Sequence, residues 1–281
     1  MDPRFAALLP YVAGARLLRQ PPVECLFAFI CSSNNNVKRI AGMVDRLCVA
    51  YGTHLGTDAW GHTHFSFPTL KQLASADEAQ LRDLGFGYRA KFIIGAAQQL
   101  AARPGGQAWL EGLRAAAVPS ADAVRQLAAL PGVGPKVAAC AALFSLDKHD
   151  CIPVDTHVWQ FACAHYPDAM LLLPPAAPRT KKAKTEPSTE DAAVAGASET
   201  PAQPACTLRT MGAVAQHLQQ LWGPYAGWAH TACFIVELAD QRTALPPELR
   251  TPKAVTPAKV KKEKGTKRAA PAPAGVDADG T

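Results

Sequence analysis

Leu130-Pro131-Gly132-Val133-Gly134-Pro135-Lys136 lies between two stretches with helical apolar pattern, residues 121–130 and 136–144. Two glycines two residues apart let the backbone turn sharply and leave amide N–H groups unshielded by side chains. Pro135 suits the first turn of the helix that follows, so those donors sit at a helix N-terminus, where the dipole favours an anion. A DNA phosphate is the natural ligand for the amides around Gly132 and Gly134. The same pattern also serves as an ordinary αα-turn, so the turn alone decides nothing. Lys136 adds a second feature. Its charge is disfavoured by the positive end of the dipole, which favours the free amine that a nucleophilic lysine needs. A lysine here can equally be a simple phosphate contact.

Outward from the hairpin, residues 22–166 read as consecutive short helices. Val23-Glu24-Cys25-Leu26-Phe27-Ala28-Phe29-Ile30 is too apolar for a surface helix and is expected in the core. Asn36 is placed to cap a helix whose stripe is Val37, Ile40, Met43, Val44, Leu47 and Cys48. Phe67-Pro68-Thr69-Leu70 is expected to start another, with Pro68 in its first turn. Residues 89–102 give an amphipathic helix ended by Pro104-Gly105-Gly106. Residues 156–165 follow as a helix opened by Pro153-Val154-Asp155. The position of Asp155 fits an N-cap, and also a carboxylate that could steer the Lys136 ammonium. Helical pattern returns over 211–238, and this last helix is expected to pack back onto the first set.

Between them, residues 167–207 hold seven prolines and Lys181-Lys182-Ala183-Lys184, which reads as a disordered low-complexity insertion. The net charge of +6 equals the excess carried by Lys253, Lys259, Lys261, Lys262, Lys264, Lys267 and Arg268 over Glu263. That stretch belongs to a Pro/Ala/Lys-rich tail, 246–281, expected to be disordered. Its composition suits nuclear import and weak phosphate attraction, or a merely solubilising role, and an organellar address is the alternative. The rest of the chain is near neutral, so charge by itself does not identify a nucleic-acid partner.

Other classes are disfavoured. No apolar run approaches the roughly 18 residues of a membrane span, and Met1-Asp2-Pro3-Arg4 lacks the order of a signal peptide. The expectation is a soluble intracellular protein with no membrane partner. The eight cysteines, Cys25, Cys31, Cys48, Cys140, Cys151, Cys163, Cys206 and Cys233, include no C-x2-C pair, so zinc-ribbon and iron–sulfur ligands are missing. Buried free thiols are expected.

The hairpin at 130–136 followed by Val154-Asp155 resembles the helix–hairpin–helix-GPD superfamily of DNA glycosylases. Within it, four motifs resemble the eukaryotic 8-oxoguanine DNA glycosylases: Phe29-Ile30-Cys31-Ser32-Ser33-Asn34-Asn35-Asn36, Leu84-Gly85-Phe86-Gly87-Tyr88-Arg89-Ala90, Val154-Asp155-Thr156-His157 and Leu221-Trp222-Gly223-Pro224-Tyr225-Ala226-Gly227-Trp228-Ala229. The resemblance covers nearly all of residues 2–240 outside the insertion. It implies a mostly α fold of the helix–hairpin–helix-GPD type and a bifunctional glycosylase and AP lyase acting on duplex DNA with an oxidised purine. It implies a monomer whose chemistry needs no metal or organic cofactor, although such hairpins can hold a structural cation.

Residue by residue, the resemblance implies that Lys136 attacks C1′ and that Asp155 assists base departure and proton transfers, after the base is flipped out. Asn34 would fill the hole in the duplex, and Arg39 and Tyr88 would engage or wedge near the orphaned cytosine, with Arg89 beside them on the DNA side. Cys140 and Phe234 would sandwich the flipped base, and His157 would contact a phosphate. Taken singly, Cys140 and Phe234 read as core residues, Asn34 to Asn36 as a cap and Tyr88-Arg89 as a helix start.

Two departures from the family pattern stand out. The family's N-terminal sheet domain, whose glycine carbonyl distinguishes 8-oxoguanine from guanine, is represented only by its last piece, near Ala15-Arg16-Leu17-Leu18-Arg19, so residues 1–20 are expected to be a remnant. His230 replaces a glutamine that reads the base edge. A neutral imidazole has one donor and one acceptor on opposite sides of its ring, so base preference is expected to weaken or shift. The competing readings are an endonuclease III-like pyrimidine glycosylase, disfavoured by the absent cysteine loop, and a catalytically weak module that binds damaged DNA.

Overall fold

The computed structural model of the protein describes residues 2–171 and 207–252. Most of the expected insertion and tail therefore lies outside the described residues, as does Cys206. The fold is mostly helical, and none of the described helices is long and apolar enough to cross a membrane.

The first nine helices are α1 (Pro3–Leu8), α2 (Pro22–Ile30), α3 (Val37–Tyr51), α4 (Leu70–Ala74), α5 (Glu78–Leu81), α6 (Arg89–Ala102), α7 (Gly106–Gly112), α8 (Ser120–Ala128) and α9 (Pro135–Ser145). All but α1 contribute to a cluster that includes Leu26, Phe27, Met43, Ile93, Leu127 and Ala142. α9 is central and runs between α2 and α8. Its residues 137–143 are buried on every side, which is why this stretch carries no amphipathic stripe. A second core gathers α1 with α10 (Thr156–His165), α11 (Pro167–Leu171), α12 (Leu208–Trp222) and α13 (Ala226–Glu237) around Leu8, Trp159, Phe161, Val214 and Leu218.

The last long helix docks on the first core through a glycine. A Cβ on Gly227 would stand 2.4 Å from Leu143 Cδ1 and 2.5 Å from the Cys151 carbonyl oxygen. The Gly227 amide donates to the His149 carbonyl at 2.8 Å, so the α13 backbone itself forms the contact. Only a residue without a side chain allows that approach.

Several expectations are corrected. Residues 54–65, expected within the helical series, form a β-hairpin, β1 (His54–Thr57) and β2 (Thr63–Phe65), paired antiparallel. The Asp58 carboxylate nucleates its turn by accepting from the Trp60 and His62 amides at 3.0 and 2.8 Å. Pro68 precedes α4 instead of opening it; Thr69 caps that helix in a capping box with Gln72. Order does not break at Pro167, because a proline at a first-turn position starts α11. The folded part also extends past 245: Leu245 and Thr251 are 1% and 4% exposed, and Pro247–Leu249 form a 3-10 turn. The segment before α2, expected as the end of a separate domain, contributes Leu8 and Val12 to the second core. Among the described residues, five cysteines are buried free thiols, whereas Cys48 and Cys163 are partly exposed.

Candidate active site

The hairpin between α8 and α9 is held against α6. Gly132 has φ +74, and a Cβ there would stand 2.5 Å from Phe92 Cβ, so the turn needs glycine on both conformational and steric grounds. Gly134 caps α9 and is exposed, with Pro135 opening the first turn. The first-turn amides of a helix have no intrahelical acceptor, so this end presents donors to solvent.

Lys136 follows at the second helical position. Its Nζ lies 5.4 Å from the centroid of the Phe29 ring, which is stacked on Phe144 at 5.6 Å. One turn on, Cys140 is 3% exposed. Burial pushes its thiol up to about 11, while Lys136 beside it pulls the other way. The lysine thus sits on an aromatic face, next to a neutral thiol, at the positive end of a helix.

Asp155 is brought to the same place by the start of α10. It is the N-cap, and its Oδ1 accepts from the His157 and Val158 amides at 2.9 and 3.0 Å. Its Oδ2 accepts no hydrogen bond among the described residues. Lys136 and Asp155 both line one cavity of about 910 Å³, together with His157, Phe234, Asn35 and Gln160. The cap thus uses one oxygen of Asp155 and leaves the other free in the cavity, where no ion pair joins it to Lys136 among the described residues.

The expected base pocket is arranged differently. Phe234 lines the large cavity, but Cys140 and His230 are buried and do not line it. His230 is 6% exposed and borders a separate void of about 10 Å³, too small for a base. Its ring is stacked on Phe234, with centroids 6.2 Å apart, and Phe234 in turn meets His157 edge-on at 6.5 Å. Among the described residues, neither ring nitrogen of His230 has a hydrogen-bond partner. Burial lowers its pKa to about 4, with Asp155 opposing that shift and Lys136 adding to it. A neutral, unpartnered imidazole thus waits behind Phe234.

The loop after α2 carries the remaining expected contacts. Asn34 is exposed at φ +49, a left-handed conformation that asparagine tolerates. Tyr88 is 44% exposed and donates from its hydroxyl to the Ser33 carbonyl at 3.1 Å, so Asn34 and Tyr88 are neighbours. Arg39 is exposed in the first turn of α3, whose cap is Asn36. Arg89 is a correction. It was expected on the DNA side, yet it is 3% exposed and donates to the carbonyls of Ser33 and Asn34. Its guanidinium plane also lies 4.7 Å from the Tyr88 ring centroid, so it shapes the loop from below.

Residues 27–169 match the HhH-GPD superfamily of base excision DNA repair proteins. The chain belongs to this superfamily. It is 46% identical over 245 residues to the N-glycosylase/DNA lyase OGG1 of Arabidopsis thaliana, covering 87% of this chain and 58% of that protein. It is 43% identical over 172 residues to the N-glycosylase/DNA lyase of Saccharomyces cerevisiae, covering 59% and 45%. The chain therefore spans only about half the length of these relatives. Among solved structures it is similar to the Clostridium acetobutylicum 8-oxoguanine glycosylase/lyase. The apo form gives a TM-score of 0.62 at 24% identity, covering 83% of this chain and 66% of that one. The complex with duplex DNA containing cytosine opposite 8-oxoG gives 0.58 at 25% identity, covering 82% and 64%. These likenesses agree with the HhH-GPD fold read from the hairpin.

Several cavity residues were not anticipated. Ser32 and Asn35 lay inside a quoted motif, and Gln160 lies one turn from His157 on the cavity face of α10. Glu237, Arg242 and Arg250 lay outside every motif, and Arg250 fell in the stretch read as tail.

Proposed function

We propose that this chain is a DNA N-glycosylase with associated AP lyase activity that removes 8-oxoguanine opposite cytosine from duplex DNA. The observation that carries the reading is the convergence of Lys136 and Asp155 on one cavity at the α9 N-terminus, which no side chain caps. The relatives named N-glycosylase/DNA lyase and the glycosylase/lyase complex with an 8-oxoG·C duplex support the same substrate class.

In the mechanism, the hairpin amides hold a backbone phosphate while the damaged nucleotide is turned out of the stack. Asn34 and Tyr88 occupy the duplex at the vacated position, and Arg39 offers its planar donor fork to the orphaned cytosine. The Lys136 amine attacks C1′ as the C1′–N9 bond breaks, its electron pair leaving with the base, which takes up a proton. The free Asp155 oxygen stabilises the positive charge that develops on the sugar and accepts the proton lost by the amine. The sugar ring opens to a Schiff base between Lys136 and C1′. Loss of a C2′ proton then expels the 3′ phosphate by β-elimination, and water releases the lysine.

Phe234 covers His230, so a base that is to reach the imidazole must displace the Phe234 ring and then stack against it. Once exposed, His230 offers one donor and one acceptor to the base edge, which shifts lesion preference relative to an amide. The protein acts as a monomer and, through the basic residues between Lys253 and Arg268, enters the nucleus. A fluorescent fusion that remains nuclear without that stretch would remove the tail from the account. Base release and strand nicking on duplexes with 8-oxoguanine opposite each of the four bases test the main reading. Release favoured opposite cytosine is expected. Tight binding to the same duplexes with no release or nicking would leave a binding module instead.

A further inference from the structure

The last described residues form a strap along one side of the catalytic cavity. After α13 the chain passes through α14 (Ala239–Arg242) and the 3-10 turn at Pro247–Leu249 to Thr251 and Pro252. Arg242, Thr243, Arg250, Thr251 and Pro252 line the same cavity of about 910 Å³ as Lys136 and Asp155. All of them lie beyond residues 27–169, the part that matches the superfamily.

The strap is pinned in place. Arg242 is paired with Glu237 and donates to the Thr251 carbonyl. The Thr251 hydroxyl donates to Glu237 and faces His165 Nε2 at 3.2 Å. Arg4, from α1, donates to the Leu249 carbonyl at 2.8 Å.

The cations on the cavity wall differ in what balances them. Arg242 is neutralised by Glu237, and Lys136 shares the cavity with Asp155. Arg250 makes no ion pair among the described residues. Instead its Nε donates to the Leu245 carbonyl at 2.8 Å and its Nη2 to the Thr243 carbonyl at 3.1 Å. Those carbonyls fix the guanidinium plane without cancelling its charge. Of the five N–H donors of an arginine, two are used here and three remain for a ligand. A pre-oriented planar fork with uncancelled charge suits the oxygens of a phosphate better than a mobile ammonium does.

We propose that Arg250 grips a backbone phosphate of the DNA strand that enters the cavity, making the strap a second phosphate clamp besides the hairpin amides. The proposal rests on the duplex-DNA reading above. It is tested in chains carrying Lys136→Gln, which bind without turnover, by measuring affinity for an 8-oxoguanine·cytosine duplex between about 50 and about 200 mM salt. Arg250→Gln is expected to weaken binding several-fold and to reduce the slope of log K against log salt by about 0.9, one phosphate's share. Damaged and undamaged duplexes should lose affinity alike. Arg250→Lys keeps the charge and is expected to keep the slope. An unchanged slope in Arg250→Gln, with binding intact in the parent, overturns the clamp and leaves the glycosylase reading standing. If Arg250→Lys loses slope as fully as Arg250→Gln, the carbonyl latch rather than the charge matters, and the clamp is overturned. A parent that binds no duplex overturns both readings.

Discussion

His230 lies stacked on Phe234 with ring planes 22° apart, both of its nitrogens buried and without a partner among the described residues. An orphaned buried polar group costs about 1–3 kcal/mol, so the arrangement is one that a ligand edge can improve. It also fixes the sign of a pH dependence. The folded pKa, about 4, is below the ordinary 6.5, so the unfolded chain takes up the proton first. The stability tied to a neutral His230 is fully present above pH 6.5 and is lost as pH falls towards 4.

His230→Gln is expected to flatten the decline of Tm between pH 6.5 and 4, removing on the order of 3 kcal/mol of pH-dependent stability. A residual decline should remain, because burial and then Arg4 also lower the pKa of His165 to about 4. The same variant should change relative excision rates among oxidised purines. Identical rates for every lesion would remove His230 from base recognition.

Asp155 separates capping from chemistry. Asp155→Asn keeps an oxygen to accept from the His157 and Val158 amides, so Tm should move little. The loss of charge should slow base release by about 10²-fold or more. Single-turnover kinetics beside thermal melting check this. Rates close to those of the parent would exclude Asp155 from the reaction.

Arg89 is expected to act through the loop it supports. Arg89→Ala removes a buried cation that holds the Ser33 and Asn34 carbonyls and should cost about 2–3 kcal/mol of stability. Discrimination between cytosine and adenine opposite the lesion should weaken, because Asn34 and Tyr88 lose their common anchor. Binding assays with both duplexes at a temperature where the variant stays folded provide the measurement. Unchanged stability and discrimination would contradict this role.

The hairpin should tolerate no side chain at Gly132. Gly132→Ala places a methyl on the Phe92 stem, close to its backbone where a rotamer change cannot clear it, and forces alanine to φ +74. A loss of about 2–4 kcal/mol in urea unfolding is expected from strain and overlap together. Gly134→Ala, where a Cβ meets nothing within 4 Å, should leave stability near that of the parent and serves as the comparison. Equal stabilities of the two variants would contradict the close approach.

The hairpin, the α9 lysine and the Asp155 cap were legible because each depends on local rules of glycine, proline and capping chemistry. The neighbourhood of Asn34 and Tyr88 was legible only through resemblance, since the contact that sets it, Tyr88 to the Ser33 carbonyl, joins residues 55 positions apart in the chain. The β-hairpin was missed because its strands are only four and three residues long, and its turn depends on the Asp58 side chain. Arg89 was misplaced because an arginine opening a helix looks exposed until the two carbonyls that hold it are visible. Arg250 was hidden by Pro246-Pro247, which resembles the start of a tail, although Leu245 and Thr251 anchor the segment on both sides.

The proposed chemistry turns on a covalent bond between Lys136 and the sugar of the damaged nucleotide. Borohydride added to the chain and an 8-oxoguanine·cytosine duplex should reduce the Schiff base to a stable protein–DNA adduct. An adduct is expected in the parent chain and none in Lys136→Ala, with the variant still folded and still binding the duplex. No adduct from a folded, DNA-binding parent, or one that persists without Lys136, would contradict it.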